Sequence, residues 1–370
     1  MMSLYIGLMS GTSMDAVDAV LCDIKPDRVQ FIDAHAVSIP NELKQRLESA
    51  CRPDLSVTDY QYLAREYAAL CADATLQLIE KAKVEKQAIS AVASHGQTLW
   101  HAPPKHSGQV GYSIQLNDAD WLSVQVGLPV IFDFRARDLA LGGQGAPLVP
   151  AFHQFIFTNT HRAPIAILNL GGIANISYLD TQKGIALGFD TGPANTLLDQ
   201  WIERHQGKRF DQQGRWAQQG ILQVKLLEDL LNDPFFQNPP PKSSGREHFN
   251  LAWLERFIDQ PYRPQDVQRT LLELTAKSAV DSFQWLPESP TQLIVCGGGA
   301  FNSFLLERIA QCLPDKVTLA DSAQYGVAPQ HVEAMAFAWL GWCFDNNKPA
   351  NLPAVTGASR LATLGKRVNA

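Results

Sequence analysis

The sequence has no closely paired cysteines, no long apolar run and no excess of positive charge, and each absence excludes a class of protein. The six cysteines form no CxxC pair and lie within apolar runs, so we expect buried free thiols without disulfides or structural zinc. No apolar run reaches the roughly 18 residues of a membrane span, and no basic residue precedes Lys25 as a secretory signal requires. We therefore expect a cytoplasmic protein that does not insert into membranes.

The charge balance argues against a nucleic-acid partner. Lys and Arg number 31 against 37 Asp and Glu, which gives a net charge of -6, whereas nucleic-acid binding needs an extended basic surface. Hydrophobic residues make up 46% of the 370 residues, enough for sizeable cores. At about 150 residues per domain, we expect two domains.

Four common catalytic or nucleotide-binding motifs are also missing. The sequence contains neither GxxxxGK[ST] nor GxGxxG, which disfavours P-loop and Rossmann nucleotide binding. It contains no GxSxG and no HExxH, which disfavours a hydrolase of the nucleophile-elbow type and a zinc protease.

The two halves of the chain open alike. Apolar runs at 4–9, 17–24 and 29–39, with a small-residue turn after the first, predict a three-stranded meander. The pattern restarts after Pro164, with runs at 165–170, 173–179 and 184–189. Helices and strands alternate after each meander, so we expect an α/β protein. The polar tail after Phe344 is expected to cover the surface only.

Three glycine clusters lie where predicted strands end. The turn at Gly11, Thr12, Ser13, Met14 and Asp15 either cradles a phosphate with its backbone N–H groups or is an ordinary hairpin turn. Asp15 and Asp18 beside a phosphate would require a cation such as Mg²⁺. Gly171–Gly172 and Gly297–Gly299 occupy similar positions in the second half, and the three clusters could grip one ligand.

Several charged residues are candidates for chemistry. Asp190 follows an apolar strand in GFDTGP, where it is either a rigidly held catalytic carboxylate or a turn residue. Arg135 and Asp138, followed by a glycine-rich loop, either line a polar pocket or form a surface ion pair. Glu333 lies on the final apolar helix and points either to solvent or into a cleft.

Eight motifs together resemble the anhydro-N-acetylmuramic acid kinase family over nearly the whole chain. They are GLMSGTSMDAVD (7–18), SHGQT (94–98), DFRARD (133–138), GGQGAPLVP (142–150), NLGGIANI (169–176), GFDTGPAN (188–195), KSSGREHFN (242–250) and CGGGAFN (296–302). The resemblance implies a two-lobed actin-like ATPase fold, related to ribonuclease H, with a cleft between the lobes. We expect the lobes at 1–150 and 151–370, with a helical insertion at about 205–265.

The resemblance also implies a reaction. ATP, water and 1,6-anhydro-N-acetylmuramic acid would give N-acetylmuramic acid 6-phosphate and ADP in cell-wall recycling. Asp190 would act as the base on water, with Glu333 as a second catalytic carboxylate. A homodimer and Mg²⁺ are expected, with Asp15 and Asp18 as the metal ligands.

Binding roles follow from the same resemblance. The ATP-binding residues would be Gly11, Thr12, Ser13, Met14, Asp15, Ala16, Val17, Asp18, Gly171, Gly172, Gly297, Gly298 and Gly299. The amino sugar would contact His95, Gln97, Arg135, Asp138 and Asn195, with Arg135 suited to the lactyl carboxylate. Ala16 and Ala194 stand where the family often has glycine, which the loops tolerate unless φ is positive there.

Three other functions remain open from the sequence. One is a conventional sugar kinase acting on a free hydroxyl, and another is an actin-like nucleotide switch without sugar chemistry. The third is an inverting glycoside hydrolase that uses Asp190 and Glu333.

Overall fold

The protein is described from a computed structural model that covers residues 3–11, 14–52, 54–104, 109–157, 163–245 and 248–370. The chain divides into two compact units, Met1–Asn159 with His331–Ala370, and Thr160–Gln330. The last 40 residues thus belong to the first unit, whereas the sequence analysis placed them in the second lobe. The reason is that the final apolar helix packs on the first sheet.

The first unit begins with the predicted meander. Its elements are β1 (Leu4–Met9), β2 (Ala16–Lys25), β3 (Arg28–Ser38), α1 (Asn41–Ala50), α2 (Val57–Ala82), β4 (Ile89–Ser94), β5 (Gln97–Ala102), β6 (Tyr112–Leu116), α3 (Ala119–Val126), β7 (Val130–Phe132), α4 (Ala136–Ala140) and α5 (Val149–Phe157).

The second unit repeats this opening. Its elements are β8 (Ile165–Leu170), β9 (Ile173–Asp180), β10 (Ile185–Pro193), α6 (Asn195–Gln206), α7 (Arg215–Gln218), α8 (Val224–Leu231), α9 (Pro234–Gln237), α10 (Leu251–Glu255), α11 (Pro264–Asp281), β11 (Gln292–Cys296), α12 (Ser303–Cys312) and β12 (Thr318–Asp321). The chain then returns to the first unit with α13 (Val332–Asp345), α14 (Pro353–Thr356) and β13 (Lys366–Val368). Short 3-10 helices lie at Lys86–Ala88, Gln212–Gly214, Ser282–Trp285, Gly298–Phe301, Ser322–Tyr325 and Pro329–His331.

The two main sheets share one topology. Their strand orders are β13-β7-β4-β1-β2-β3 and β10-β9-β8-β11-β12. In each, an antiparallel meander is followed by parallel strands added beside its first strand. This repetition confirms the predicted α/β class and the actin-like fold.

The central strand β1 is apolar along its whole length because both of its faces are covered. Leu4, Ile6 and Leu8 lie in a core with buried residues of α2, and α2 presents Leu63, Tyr67, Ala74 and Leu78 to it at the predicted helical spacing. On the other face α13 approaches so closely that a Cβ on Gly7 would lie 1.9 Å from the carbonyl oxygen of Ala334. Glycine is therefore required at this crossing.

The polar tail is more than a surface covering, which corrects the expectation from its composition. β13 pairs with β7, Leu364 is fully buried, and Asn351 and Thr356 are buried polar residues. These groups complete the interior of the first unit.

Two further expectations concern cysteines and membranes. Cys22, Cys71, Cys296 and Cys343 are buried as predicted, but Cys51 is exposed because it lies just beyond the end of α1. Within the described residues, every helix is too short or too polar to cross a bilayer.

Candidate active site

Asp190 lies where the ladder between β9 and β10 is interrupted. It pairs with Asn175, and the register shifts before Gly192. The backbone N–H of Asp190 donates to the carbonyl of Lys242 at 3.1 Å, and the N–H of Ser244 donates to its Oδ2 at 2.8 Å. Asp190 is partly exposed. Its carboxylate is held in one orientation by residues 242–244, which lie more than fifty residues later in the chain.

Lys242 adds a positive charge near this carboxylate. Its Nζ donates to the carbonyl of Phe235 at 3.1 Å and lies 4.7 Å from the centre of that ring. Burial lowers the pKa of Lys242, and the charge of Asp190 opposes this effect. The Lys242 ammonium and the Asp190 carboxylate therefore attract each other. The sequence motif contained both Lys242 and Ser244, but nothing in it pointed to Asp190.

The second glycine turn is joined to the start of α6. The Gly172 carbonyl accepts the N–H groups of Ala194 and Thr196 at 3.0 Å, and the Gly171 carbonyl accepts that of Asn195 at 3.0 Å. Ala194 has a φ of -121°, so the alanine there causes none of the strain that a positive φ would bring. The same holds for Ala16, which is not among the residues of positive φ.

The third glycine cluster packs against the end of β8. Gly297 has a φ of +81°, and a Cβ there would lie 2.4 Å from Asn169 Oδ1. A Cβ on Gly299 would lie 2.6 Å from the Cβ of Leu170, whereas one on Gly298 would meet nothing closer than 3.8 Å. Gly297 and Gly299 are thus required by close packing, and Gly298 is not.

Asn195 lies in this second glycine neighbourhood. Its Nδ2 donates to the carbonyl of Leu170 at 2.9 Å, and its side chain is the nearest group to Gly298. The residue that we expected to bind sugar therefore lies beside glycines that we expected to bind nucleotide.

The first glycine turn is described in part, since Thr12 and Ser13 lie outside the described residues. The Met14 N–H donates to the Gly11 carbonyl at 3.1 Å. Met14 has a φ of 52°, the left-handed region that a methionine seldom occupies, and its side chain is buried. Packing therefore holds Met14 in a strained conformation, as is common where a loop serves a ligand.

The residues after the turn have three different surroundings. Asp15 is exposed and pairs with Lys44 at 2.6 Å. Ala16 opens β2, and Val17 is fully buried in the core. The expectation that Val17 lines a ligand is corrected for its side chain, because strand alternation turns it inward.

The Asp18 carboxylate, unlike that of Asp15, has no ion-pair or hydrogen-bond partner among the described residues. Burial alone raises its pKa to about 6. A desolvated carboxylate next to a glycine turn has the chemistry of a Mg²⁺ or metal-water ligand, whereas Asp15 is already neutralised by Lys44. Across the described residues, no group of three or more His, Cys, Asp or Glu side chains forms a protein-only metal site.

His95 and Arg135 form a buried pair in the first unit. Arg135 Nη2 donates to His95 Nε2 at 2.8 Å, and Nη1 donates to the Gly145 carbonyl at 2.8 Å. Burial and the neighbouring Arg135 hold the pKa of His95 well below its usual value, so the imidazole is neutral with its proton on Nδ1. Burial lowers the pKa of Arg135 to about 10, although the negative charges of Glu333 and Asp138 raise it and offset part of this effect.

Gln97 and Asp138 have structural partners rather than exposed surfaces. Gln97 is fully buried, and its Oε1 accepts from Ser10 Oγ at 2.8 Å beside the first glycine turn. Asp138 is also fully buried, which corrects both the surface ion pair and the open sugar contact considered above.

Comparison with known proteins identifies the family. The family model described as anhydro-N-acetylmuramic acid kinase matches residues 3–370. The chain is 48% identical to the anhydro-N-acetylmuramic acid kinase of Idiomarina loihiensis, over 98% of each protein. It is 44% identical to that of Haemophilus influenzae, over 98% of this chain and 96% of the other.

The chain belongs to the anhydro-N-acetylmuramic acid kinase family.

Solved structures with related folds are more distant. An activator of 2-hydroxyisocaproyl-CoA dehydratase from Clostridium difficile has a TM-score of 0.47 at 14% identity, over 94% of this chain and 95% of the other. A ROK family glucokinase from Streptomyces griseus has a TM-score of 0.41 at 14% identity, over 91% and 99%. The family assignment rests on the sequence relatives.

Membership in the anhydro-N-acetylmuramic acid kinase family makes this chain a kinase. Within the second unit, the structure brings together the two later glycine clusters and Asn195. Within the first unit, it brings together His95 and Arg135, with Glu333 close enough to act on the Arg135 charge. Asp190 and Glu333, which the sequence analysis predicted as the catalytic carboxylates, belong to different units.

Gly297→Ala should weaken both folding and ATP use in this kinase. The Gly297 backbone, with φ 81° and ψ 175°, is in a region open essentially only to glycine and costs an L-residue about 1–3 kcal/mol. The contact with Asn169 adds an overpacking cost of about 1–3 kcal/mol. We expect a loss of roughly 3 kcal/mol in unfolding free energy and a higher KM for ATP. Gly298→Ala is the matched control, with a change below about 0.5 kcal/mol. Urea denaturation would contradict this if the two variants unfolded together.

Asp18→Asn should stabilise the protein without nucleotide at neutral pH. The folded protein keeps the Asp18 proton up to about pH 6, whereas an unfolded chain releases it near pH 4, so the unfolding free energy falls as the pH rises between these values. The substitution removes that loss, which should add about 2 kcal/mol at pH 8 and little at pH 4.5. The urea midpoints of Asp18→Asn and wild type at these two pH values measure the change in unfolding free energy. Asp15→Asn, on an exposed side chain, is the control, and equal midpoints for Asp18→Asn and wild type at pH 8 would refute the burial argument.

Proposed function

We propose that this kinase opens the 1,6-anhydro bridge of 1,6-anhydro-N-acetylmuramic acid with water and transfers the γ-phosphoryl group of ATP to O6. The products are N-acetylmuramic acid 6-phosphate and ADP. The observation that supports this most is the Asp190 carboxylate, fixed by the Ser244 N–H and accompanied by the Lys242 charge. A carboxylate that is held in one orientation beside a positive charge suits the role of a general base.

The acceptor oxygen explains why a base is needed for water. O6 of the anhydro sugar carries no proton, since it is bonded to the anomeric carbon C1. Asp190 would take a proton from water while the water oxygen bonds to C1. The C1–O6 bond then breaks, and its electron pair stays on O6, which attacks the γ-phosphorus. ADP leaves, and the proton on Asp190 passes to solvent.

The remaining groups would bind and orient. The first glycine turn would receive the ATP phosphates, as would Gly171, Gly172 and Gly297–Gly299. Bound Mg²⁺ would spread the charge of the transferring phosphoryl group, and Asp18 is the carboxylate suited to hold it or its waters. His95 and Arg135 would contact the amino sugar, and Glu333 would orient Arg135. Asp138, Gln97 and Asn195, which the sequence analysis expected to contact the sugar, would instead support the loops that carry the binding residues.

Oxygen labelling tests the reaction directly. In water enriched in ¹⁸O, the proposed route places one labelled oxygen on C1 of the product, which mass spectrometry of the freshly formed product detects before the anomeric centre exchanges. A conventional sugar kinase would leave C1 unlabelled at the same time point. Turnover without ATP would instead support a glycoside hydrolase, and ADP release independent of sugar would support a nucleotide switch.

We further propose a cytoplasmic homodimer, in keeping with the sequence expectations. Neither nucleic acid nor a membrane is proposed as a partner. Sedimentation of the purified chain would test the oligomeric state.

A further inference from the structure

Asp190 is held twice by one short segment, residues 242–245. The carbonyl of Lys242 accepts the Asp190 backbone N–H, and the N–H of Ser244 donates to the carboxylate. The direction of the carboxylate therefore depends on where this segment lies. Any contact that holds residues 242–245 in place therefore also orients Asp190, the proposed base.

A hydrogen-bonded chain leads from Ser244 to a buried carboxylate. Ser244 Oγ lies 3.3 Å from His248 Nδ1, and His248 Nε2 lies 3.4 Å from Asp233 Oδ2. Asp233 is 9% exposed. Its Oδ1 accepts the Phe235 N–H at 2.9 Å, and its Oδ2 accepts Trp253 Nε1–H at 2.8 Å.

The imidazole has little freedom to leave this chain. The His248 ring stacks on Phe249, with centroids 4.3 Å apart and planes at 8°. The Phe235 ring lies nearly perpendicular to the imidazole, with the two ring centroids 5.9 Å apart. Lys242 also bonds to the Phe235 carbonyl, and His248 links Ser244 to Asp233, the N-cap of α9. The segment is therefore joined at two points to the start of α9.

We propose that His248 and Asp233 are positioning residues for Asp190 and act through Ser244. The Asp233 carboxylate holds the imidazole, the imidazole holds the Ser244 side chain, and the Ser244 N–H then points at Asp190 Oδ2. This inference rests on the proposed role of Asp190 as the base. A misplacement of about 1 Å in a catalytic group can cost roughly 100-fold in rate.

Two substitutions at one position separate the chain from general packing. The side-chain amide of asparagine reaches about as far as Nδ1, and that of glutamine about as far as Nε2. His248→Asn should keep the bond to Ser244 and lose only the support of Asp233, which should lower kcat by about threefold. His248→Gln should keep only the bond to Asp233 and lower kcat by about 10- to 100-fold. Calorimetric binding of the anhydro sugar should be unchanged in both.

Ser244→Ala provides an independent test because it keeps the backbone N–H. It should lower kcat about as much as His248→Gln, and the double variant should be no slower than either single variant. In Ser244→Ala and in His248→Gln, the acidic limb of the kcat–pH profile should move to higher pH. The reason is that a less firmly held Ser244 N–H stabilises the carboxylate of Asp190 less, which favours its protonated form.

The outcomes distinguish this inference from the proposed function. Equal losses in His248→Asn and His248→Gln, with an unchanged pH profile, would mean a structural role and overturn the inference. Full activity of His248→Gln beside an inactive Asp190→Asn would overturn the inference and leave the base intact. An active Asp190→Asn would overturn both.

Discussion

Asp190→Asn should lower kcat by about 10²–10⁴-fold, the usual contribution of general-base catalysis. The amide has nearly the shape of the carboxylate, and its oxygen can still accept the Ser244 N–H that bonds Oδ2 at 2.8 Å. It cannot take a proton from water. The loss should therefore appear in kcat, with little change in the dissociation constant of the sugar measured by calorimetry.

The control for this variant is a carboxylate of the same unit with no link to the site. Asp229 is paired with Lys225 on the surface of α8, so Asp229→Asn should keep wild-type turnover. Near-normal turnover of Asp190→Asn in the coupled ADP assay would remove Asp190 from the role of base.

Asp138→Ala should lower the unfolding free energy by about 3–5 kcal/mol, as expected when one member of a buried, fully bonded polar group is removed. Asp138 is fully buried. Its Oδ2 accepts the Gly145 N–H at 2.8 Å, and its Oδ1 accepts Thr356 Oγ1–H at 2.8 Å and Asn351 Nδ2–H at 2.9 Å. Truncation removes the acceptor of the Gly145 N–H and leaves Asn351 Nδ2 and Thr356 Oγ1 with only their bonds to the carbonyls of Arg360 and Leu352.

Thermal and urea unfolding measure this effect, which corresponds to a fall of roughly 10 °C for a unit of this size. Asp54 is 78% exposed and lies 3.4 Å from Arg52, so Asp54→Ala should change stability by less than about 0.5 kcal/mol. If Asp138→Ala unfolded at the same midpoint as Asp54→Ala, the bonded cluster would contribute nothing to stability.

The elements closest to the start of each unit could be predicted from sequence almost to the residue. The apolar runs at 4–9 and 165–170 coincide with β1 and β8, because strands buried on both faces are continuous apolar runs with sharp polar ends. The short strands β12 and β13 and the hairpin of β5 and β6 were not anticipated. They are short or partly exposed, and their residues lack a clear period.

Candidate site residues could be predicted where one segment carries the signal. Asp190 became a candidate from its position at the end of an apolar strand, and the glycine clusters became candidates from theirs. Ser244 and Lys242 were not assigned, since their contacts with Asp190 span more than fifty residues. Asp138 was misread for the same reason, because Asn351 and Thr356, which bury and bond it, come more than two hundred residues later.

The return of the chain to its first unit sets an order for folding during synthesis. Strand β1 is translated long before its cover α13, so a first unit that emerges without α13 exposes one apolar face of its sheet. The second unit is continuous in sequence and can close earlier. A chain that stops before residue 331 would therefore contain a complete second unit and a first unit whose sheet exposes apolar side chains. Exposed apolar surface of this kind is what chaperones bind.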